Sequence, residues 1–99
     1  MKYLVSWETR QNASEETQAR TLEVFGKWSI SEGTTFHQFL GRIDGRGGYA
    51  VVETDDPALV AKDMATFGPF FEMSVMPVME IADIAMIGAE AVEFRASIS

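Results

Sequence analysis

The sequence predicts an α+β fold: a four-stranded antiparallel sheet, two helices on one of its faces, and a third helix at the end of the chain. Three observations lead there. Stretches that alternate apolar and polar residues interchange with stretches whose apolar residues recur every three or four positions, in the order strand, helix, strand, strand, helix, strand, helix. A glycine-dense link, Asp44-Gly45-Arg46-Gly47-Gly48, joins the two consecutive strands as a hairpin. Asp56-Pro57 and Gly68-Pro69 punctuate the second helix at its two ends.

Residues 2–9 alternate, with Tyr3, Val5 and Trp7 on one face and Leu4, Ser6 and Glu8 on the other, as a strand requires. Asn12 then offers a helix cap with Glu15 reaching back to it, and Ala19, Leu22, Phe25 and Trp28 follow at helical spacing. Residues 29–34, with Gly33, end that helix. Residues 35–43 and 49–54 are the two hairpin strands. Asp56 caps the second helix and Pro57 fills its first position, with Leu59, Val60, Met64 and Phe67 on the buried side. Residues 70–81 read as a long last strand in which neither alternating face is cleanly polar, so both faces are expected to find cover. Residues 82–95 close the chain as a helix with Ile84, Ile87, Gly88, Ala91 and Val92 on one apolar stripe.

Ninety-nine residues are expected to form one domain, residues 1–99. No cysteine is present, which removes disulfides, thiolate metal sites and a cysteine nucleophile together and fits a reducing, cytoplasmic setting. A formal net charge of -7 argues against nucleic acid or an anionic membrane as partner, and no apolar run is long enough for a secretory leader or a membrane span. One histidine, His37, excludes a site built from two imidazoles of one chain, and no metal or cofactor is expected.

The first six elements are the split βαβ pattern of a ferredoxin-like domain, and the last helix is extra. Two helices leave the opposite sheet face bare. Seven Phe, two Trp and six Met are a large apolar complement for so short a chain, so the expected assembly is a homodimer whose sheets pair into an α+β barrel. On this arrangement the chain resembles the dimeric α+β barrel superfamily, which includes antibiotic-biosynthesis-type monooxygenases, muconolactone-isomerase-like proteins and stress-responsive barrel proteins. More narrowly, Lys2-Tyr3-Leu4-Val5-Ser6-Trp7, Gly41-Arg42 with the glycine turn, Val51-Val52-Glu53-Thr54-Asp55-Asp56 and Val75-Met76-Pro77-Val78-Met79-Glu80 are similar to a small bacterial family of unknown function, number 3303 in that series. The resemblance implies the fold and no particular activity. Phe67-Gly68-Pro69-Phe70-Phe71 stands where that family has a Trp and an acidic residue.

His37, flanked by Phe36 and Phe39 in a strand, is the candidate acid or base, because imidazole titrates near neutrality; the alternative is a half-buried histidine with one hydrogen-bond partner. Glu53, on an inner strand, is its candidate charged counterpart, either a carboxylate with a pKa raised by desolvation or one paired with Arg42 across the hairpin. Trp7, Tyr49 and Met73 are candidate pocket walls for a planar apolar ligand, with Arg42 and Glu72 as polar contacts, and core packing is the competing account of the apolar three. The glycine link lacks the spacing and the following helix of a phosphate loop. Asp55 and Asp56 lack the further ligand of a cation loop, and Ser14, Ser29 and Ser31 lack a histidine beside them. Haem ligation through a lone strand histidine is a weaker alternative. The function expected is binding of a small apolar or aromatic molecule by a homodimer, with cofactor-independent monooxygenase- or isomerase-like turnover as its catalytic form. The alternative is a non-catalytic assembly or stress-related protein whose apolar face serves association.

Overall fold

A computed structural model describes residues 1–11 and 13–98. β1 (Lys2–Thr9), α1 (Glu15–Lys27), β2 (Thr35–Gly41), β3 (Gly47–Glu53), α2 (Pro57–Phe67), β4 (Phe71–Val78) and α3 (Ile81–Ala96) follow one another in the expected order. The strands form one antiparallel sheet in the order β2-β3-β1-β4, the split βαβ topology with β1 and β3 inside. Register places Tyr3, Val5 and Trp7 opposite Val52, Ala50 and Gly48 on one side of β1, and opposite Pro77, Val75 and Met73 on the other. That face carries the core of Val5, Ala50, Val52 and Val60, with Tyr3, Trp7, Ile30, Phe36, Met64 and Met73 packed against it.

The expected closure into a dimeric α+β barrel is not found. β2 and β4 are free edges with no ladder between them, and the sheet is open. One chain supplies only four strands, about half the number that a filled barrel needs, so its sheet ends at β2 and β4 without closing. The bare sheet face, carrying Leu4, Val51, Tyr49, Leu40 and Met76, stays uncovered within the chain. Nor do both faces of β4 find cover: Ser74, Val75, Met76 and Pro77 are all exposed.

Ser14 caps α1, its hydroxyl accepting from the Thr17 amide at 3.2 Å, with Glu15 and Glu16 in the first turn where the helix dipole favours negative charge. Asn12 lies outside the described residues. Asp56 caps α2 as expected, accepting from Ala58 N–H at 3.0 Å, and Pro57 occupies the first turn. The last strand ends earlier than its pattern suggested, and Ile81 opens α3 instead. The hairpin turn is shorter too. Gly45 supplies the positive φ of +73°, while Gly47 and Gly48 are β3 residues paired with Glu8 and Trp7. No helix among the described residues is long and apolar enough to cross a membrane.

Candidate functional site

A bulge in β2 builds the site. Phe36 pairs with Val52, Gln38 with Val51 and Phe39 with Ala50, so His37 is an extra residue with no partner of its own across the ladder. A regular strand would send Phe36 and Phe39 to opposite faces, since residues three apart differ in parity. The bulge brings both to the helix-covered face, where their rings stack with centroids 4.6 Å apart and planes 14° from parallel. Trp7 meets Phe39 at 5.6 Å, and Phe67 meets Trp28 edge-on at 5.1 Å. Phe25 on α1 bridges these groups, 6.0 Å from Phe39 and 6.3 Å from Phe67.

These aromatics surround a half-open cavity of about 210 Å³ between the sheet and the two helices, with Ala50 and Met73 on its sheet side. Leu22 and Phe25 of α1 line it while remaining exposed, so this helix forms the mouth. The wall is almost wholly apolar. Its polar groups include Asp63 and Thr34.

Asp63 is 6% exposed although it lies on the buried stripe of α2, three residues after Val60 and four before Phe67. Its carboxylate accepts from Trp28 Nε1–H at 3.3 Å and Ser31 Oγ–H at 2.9 Å on Oδ1, and from the Ser31 amide at 3.2 Å on Oδ2. One side chain thus ties α2 to the end of α1 and to the segment leading into β2. Thr34 Oγ1 is the buried side-chain polar atom without a hydrogen-bond partner among the described residues. That oxygen has almost no accessible surface, so the wall encloses it and does not present it to the cavity, and its lost hydration is a cost to the fold.

His37 and Glu53 are brought together, as the sequence anticipated, but on the other face of the sheet. His37 Nε2–H donates to Glu53 Oε1 at 2.6 Å, with both side chains well exposed. That hydrogen bond, ahead of nearby positive charge including Lys2, holds the Glu53 carboxyl below the usual range rather than above it. At the same corner Lys2 Nζ donates to Glu80 at 2.6 Å, which lowers the Glu80 carboxyl and raises the Lys2 ammonium. Carboxyls depressed in the folded state add stability above their unfolded pKa of about 4.5 and lose it as pH falls through the folded value. The melting temperature is therefore expected to hold near neutrality and fall below about pH 4.5. Glu53→Gln and Glu80→Gln should each flatten part of that acid limb in a pH series of thermal melts.

Trp7, Tyr49, Met73, Arg42 and Glu72 border a second, more polar depression of about 250 Å³, together with Ser6, Glu8 and Ser74. Trp7 and Met73 also line the apolar cavity, so β1 and β4 separate the two spaces. Arg42 is already engaged by Asp44 at 2.5 Å and by Glu8 at 3.8 Å. Asp44 is held below its ordinary pKa by the Arg46 backbone N–H first and Arg42 second. Among the described residues no group of three or more His, Cys, Asp or Glu is placed to hold a metal ion.

Residues 1–92 match the family model described as a domain of unknown function, DUF3303. The chain belongs to that family. The match runs through the whole sheet, both cavity helices and three turns of α3, so the aromatic cavity of this DUF3303 member lies entirely within the shared region. No curated protein matches the chain.

Sequence reasoning named Phe39 among residues that could line a pocket but missed Asp63, Thr34, Trp28 and the stacking of Phe36 on Phe39. Two signals were there to find. A carboxylate on the apolar stripe of a helix requires buried donors, and Phe36 and Phe39 need a common face that only a bulge provides.

Proposed function

We propose that this protein binds a small, flat, aromatic molecule in the cavity between its sheet and helices. The observation that carries the proposal is the cavity itself: about 210 Å³, walled by Trp7, Phe25, Trp28, Phe36, Phe39 and Phe67. An apolar cavity of about 150 Å³ suffices for benzene, so this one suits one or two fused rings. Aromatic walls favour stacked and edge-on partners. The polar depression is the weaker candidate, because Arg42 already has its carboxylate partners.

The proposal is one of binding. The acid–base pair, His37 with Glu53, faces away from the cavity, which supports a carrier or sensor over an enzyme acting on the cavity's occupant. Calorimetric titration with 1-naphthol is expected to give one site per chain with Kd on the order of 100 μM or tighter. Ala50, 3% exposed on the sheet side of the cavity, supplies the control. Ala50→Leu should fill the space, keep the fold and weaken naphthol at least tenfold, while His37→Ala should leave the affinity unchanged. Equal affinity in Ala50→Leu would remove the cavity as the site.

We also propose that two copies of the chain associate. The folded chain exposes 7455 Å², roughly a third more than the about 5,600 Å² typical of a compact monomer of 11.0 kDa. Its radius of gyration is 17.8 Å, against about 12.6 Å for a compact chain of this length.

A further inference from the structure

α3 plays no part in the cavity, and every one of its residues is exposed. Ile84, Ile87, Gly88, Ala91 and Val92 form its apolar stripe, widened by Ile81 and Phe94, which are 80% and 66% exposed. Asp83, Glu90 and Glu93 lie on the other side together with the exposed Met86, and Arg95 stands at the C-terminal end of the stripe. An isolated helix of this length is marginal in water, and one this apolar needs cover. Its own chain does not provide it. Only Met79 and Glu80 separate β4 from α3, the Lys2–Glu80 ion pair braces that joint, and the molecule is drawn out to 62 × 30 × 20 Å.

The same chain leaves a second apolar surface uncovered, the open face of the sheet. Leu4, Val51, Tyr49, Leu40 and Met76 form its middle. The His37–Glu53 and Lys2–Glu80 pairs lie at one end of this band and Arg42 with Asp44 at the other. We infer that α3 of each chain lies along the open sheet face of a second copy, so that two copies exchange their C-terminal helices about a two-fold axis. This rests on the association proposed above and adds the surfaces that meet.

Three quantities agree with it. A helix of 16 residues is about 24 Å long, matching the roughly 23–27 Å of strands with seven or eight residues. The excess exposed area, on the order of 1,800 Å² per chain, exceeds the about 800 Å² per partner of a standard interface and falls in the range of obligate pairs. Each chain offers one helix and one face, so a two-fold pair satisfies both with nothing left over, whereas an unrelated partner would have to supply two matching surfaces. With the apolar stripe docked, Asp83, Glu90 and Glu93 stay in water and Arg95 reaches the rim of the partner sheet from the last turn. Each sheet is covered by a helix and remains open.

Sedimentation of the full chain at 100 μM should give twice 11.0 kDa, and the double variant Ile84→Asp/Ile87→Asp should give a monomer that still binds 1-naphthol. The chain has no cysteine, which allows a second test that does not depend on that variant folding. A Val51→Cys chain mixed with an Ile87→Cys chain should form a mixed disulfide under mild oxidation, in clear excess over the same mixture in urea. A full chain that sediments as a monomer would overturn the association and this arrangement together. A dimer that survives Ile84→Asp/Ile87→Asp, or a dimer without the mixed disulfide, would overturn the helix exchange and leave the association standing.

Discussion

Asp63→Ala is expected to cost about 3 kcal/mol of folding stability, a large share of the roughly 5–15 kcal/mol that holds a small domain together. The carboxylate accepts three hydrogen bonds, and its removal strands the Trp28 indole N–H and the Ser31 amide, each at a partly buried site. Donors deprived of a buried acceptor carry their full desolvation cost, which is why the loss exceeds that of a surface ion pair several-fold. The geometry also sorts variants at this position. Asp63→Asn keeps an oxygen for Trp28 and the Ser31 hydroxyl but turns an NH₂ toward the Ser31 amide, so its cost should be intermediate. Urea unfolding followed by Trp fluorescence reads both. A loss under about 0.5 kcal/mol in Asp63→Ala would mean that the knot between α2 and the end of α1 is not what holds the closed side of the cavity.

Gly48→Ala should also have a large effect. Gly48 is buried in β3 between Gly41 of β2 and Trp7 of β1, and a Cβ there would collide with the Leu40 carbonyl oxygen and the Trp7 ring. The indole must move and, because the Leu40 carbonyl belongs to the backbone of β2, the β2 ladder must give as well. Overpacking of this kind costs about 1–3 kcal/mol and occasionally more. Since Trp7 lines the cavity and contacts Phe39, the same change should weaken naphthol binding along with stability. A fully stable Gly48→Ala with unchanged affinity would show that Trp7 has room to spare.

The order of elements was legible because each is announced locally. β1 alternates cleanly from Lys2 to Thr9, and α2 lies between Asp56-Pro57 and Gly68-Pro69, so strand and helix bounds there needed no tertiary information. The bulge at His37 was not legible from alternation, since it is decided by where two phenylalanines find cover. The same blindness applied to Gly47 and Gly48, which look like turn residues and are strand residues pressed against Trp7. Of the candidate residues, Trp7 and Met73 line the aromatic cavity, whereas His37 and Glu53 meet on the opposite face of the sheet. Closure of the sheet into a barrel failed for a different reason. An apolar, uncovered face shows that something must cover it and does not show that another sheet does so.

The central claim is that the aromatic cavity is a binding site. The most direct measurement is a ¹H–¹³C methyl and ¹H–¹⁵N correlation titration of the full chain with 1-naphthol. Saturable shifts are expected centred on Val5, Ala50, Val52, Val60, Met73 and Thr34, with the His37–Glu53 corner unmoved. Shifts centred on Tyr49, Arg42 and Glu72, or no saturable shift up to millimolar naphthol, would contradict it.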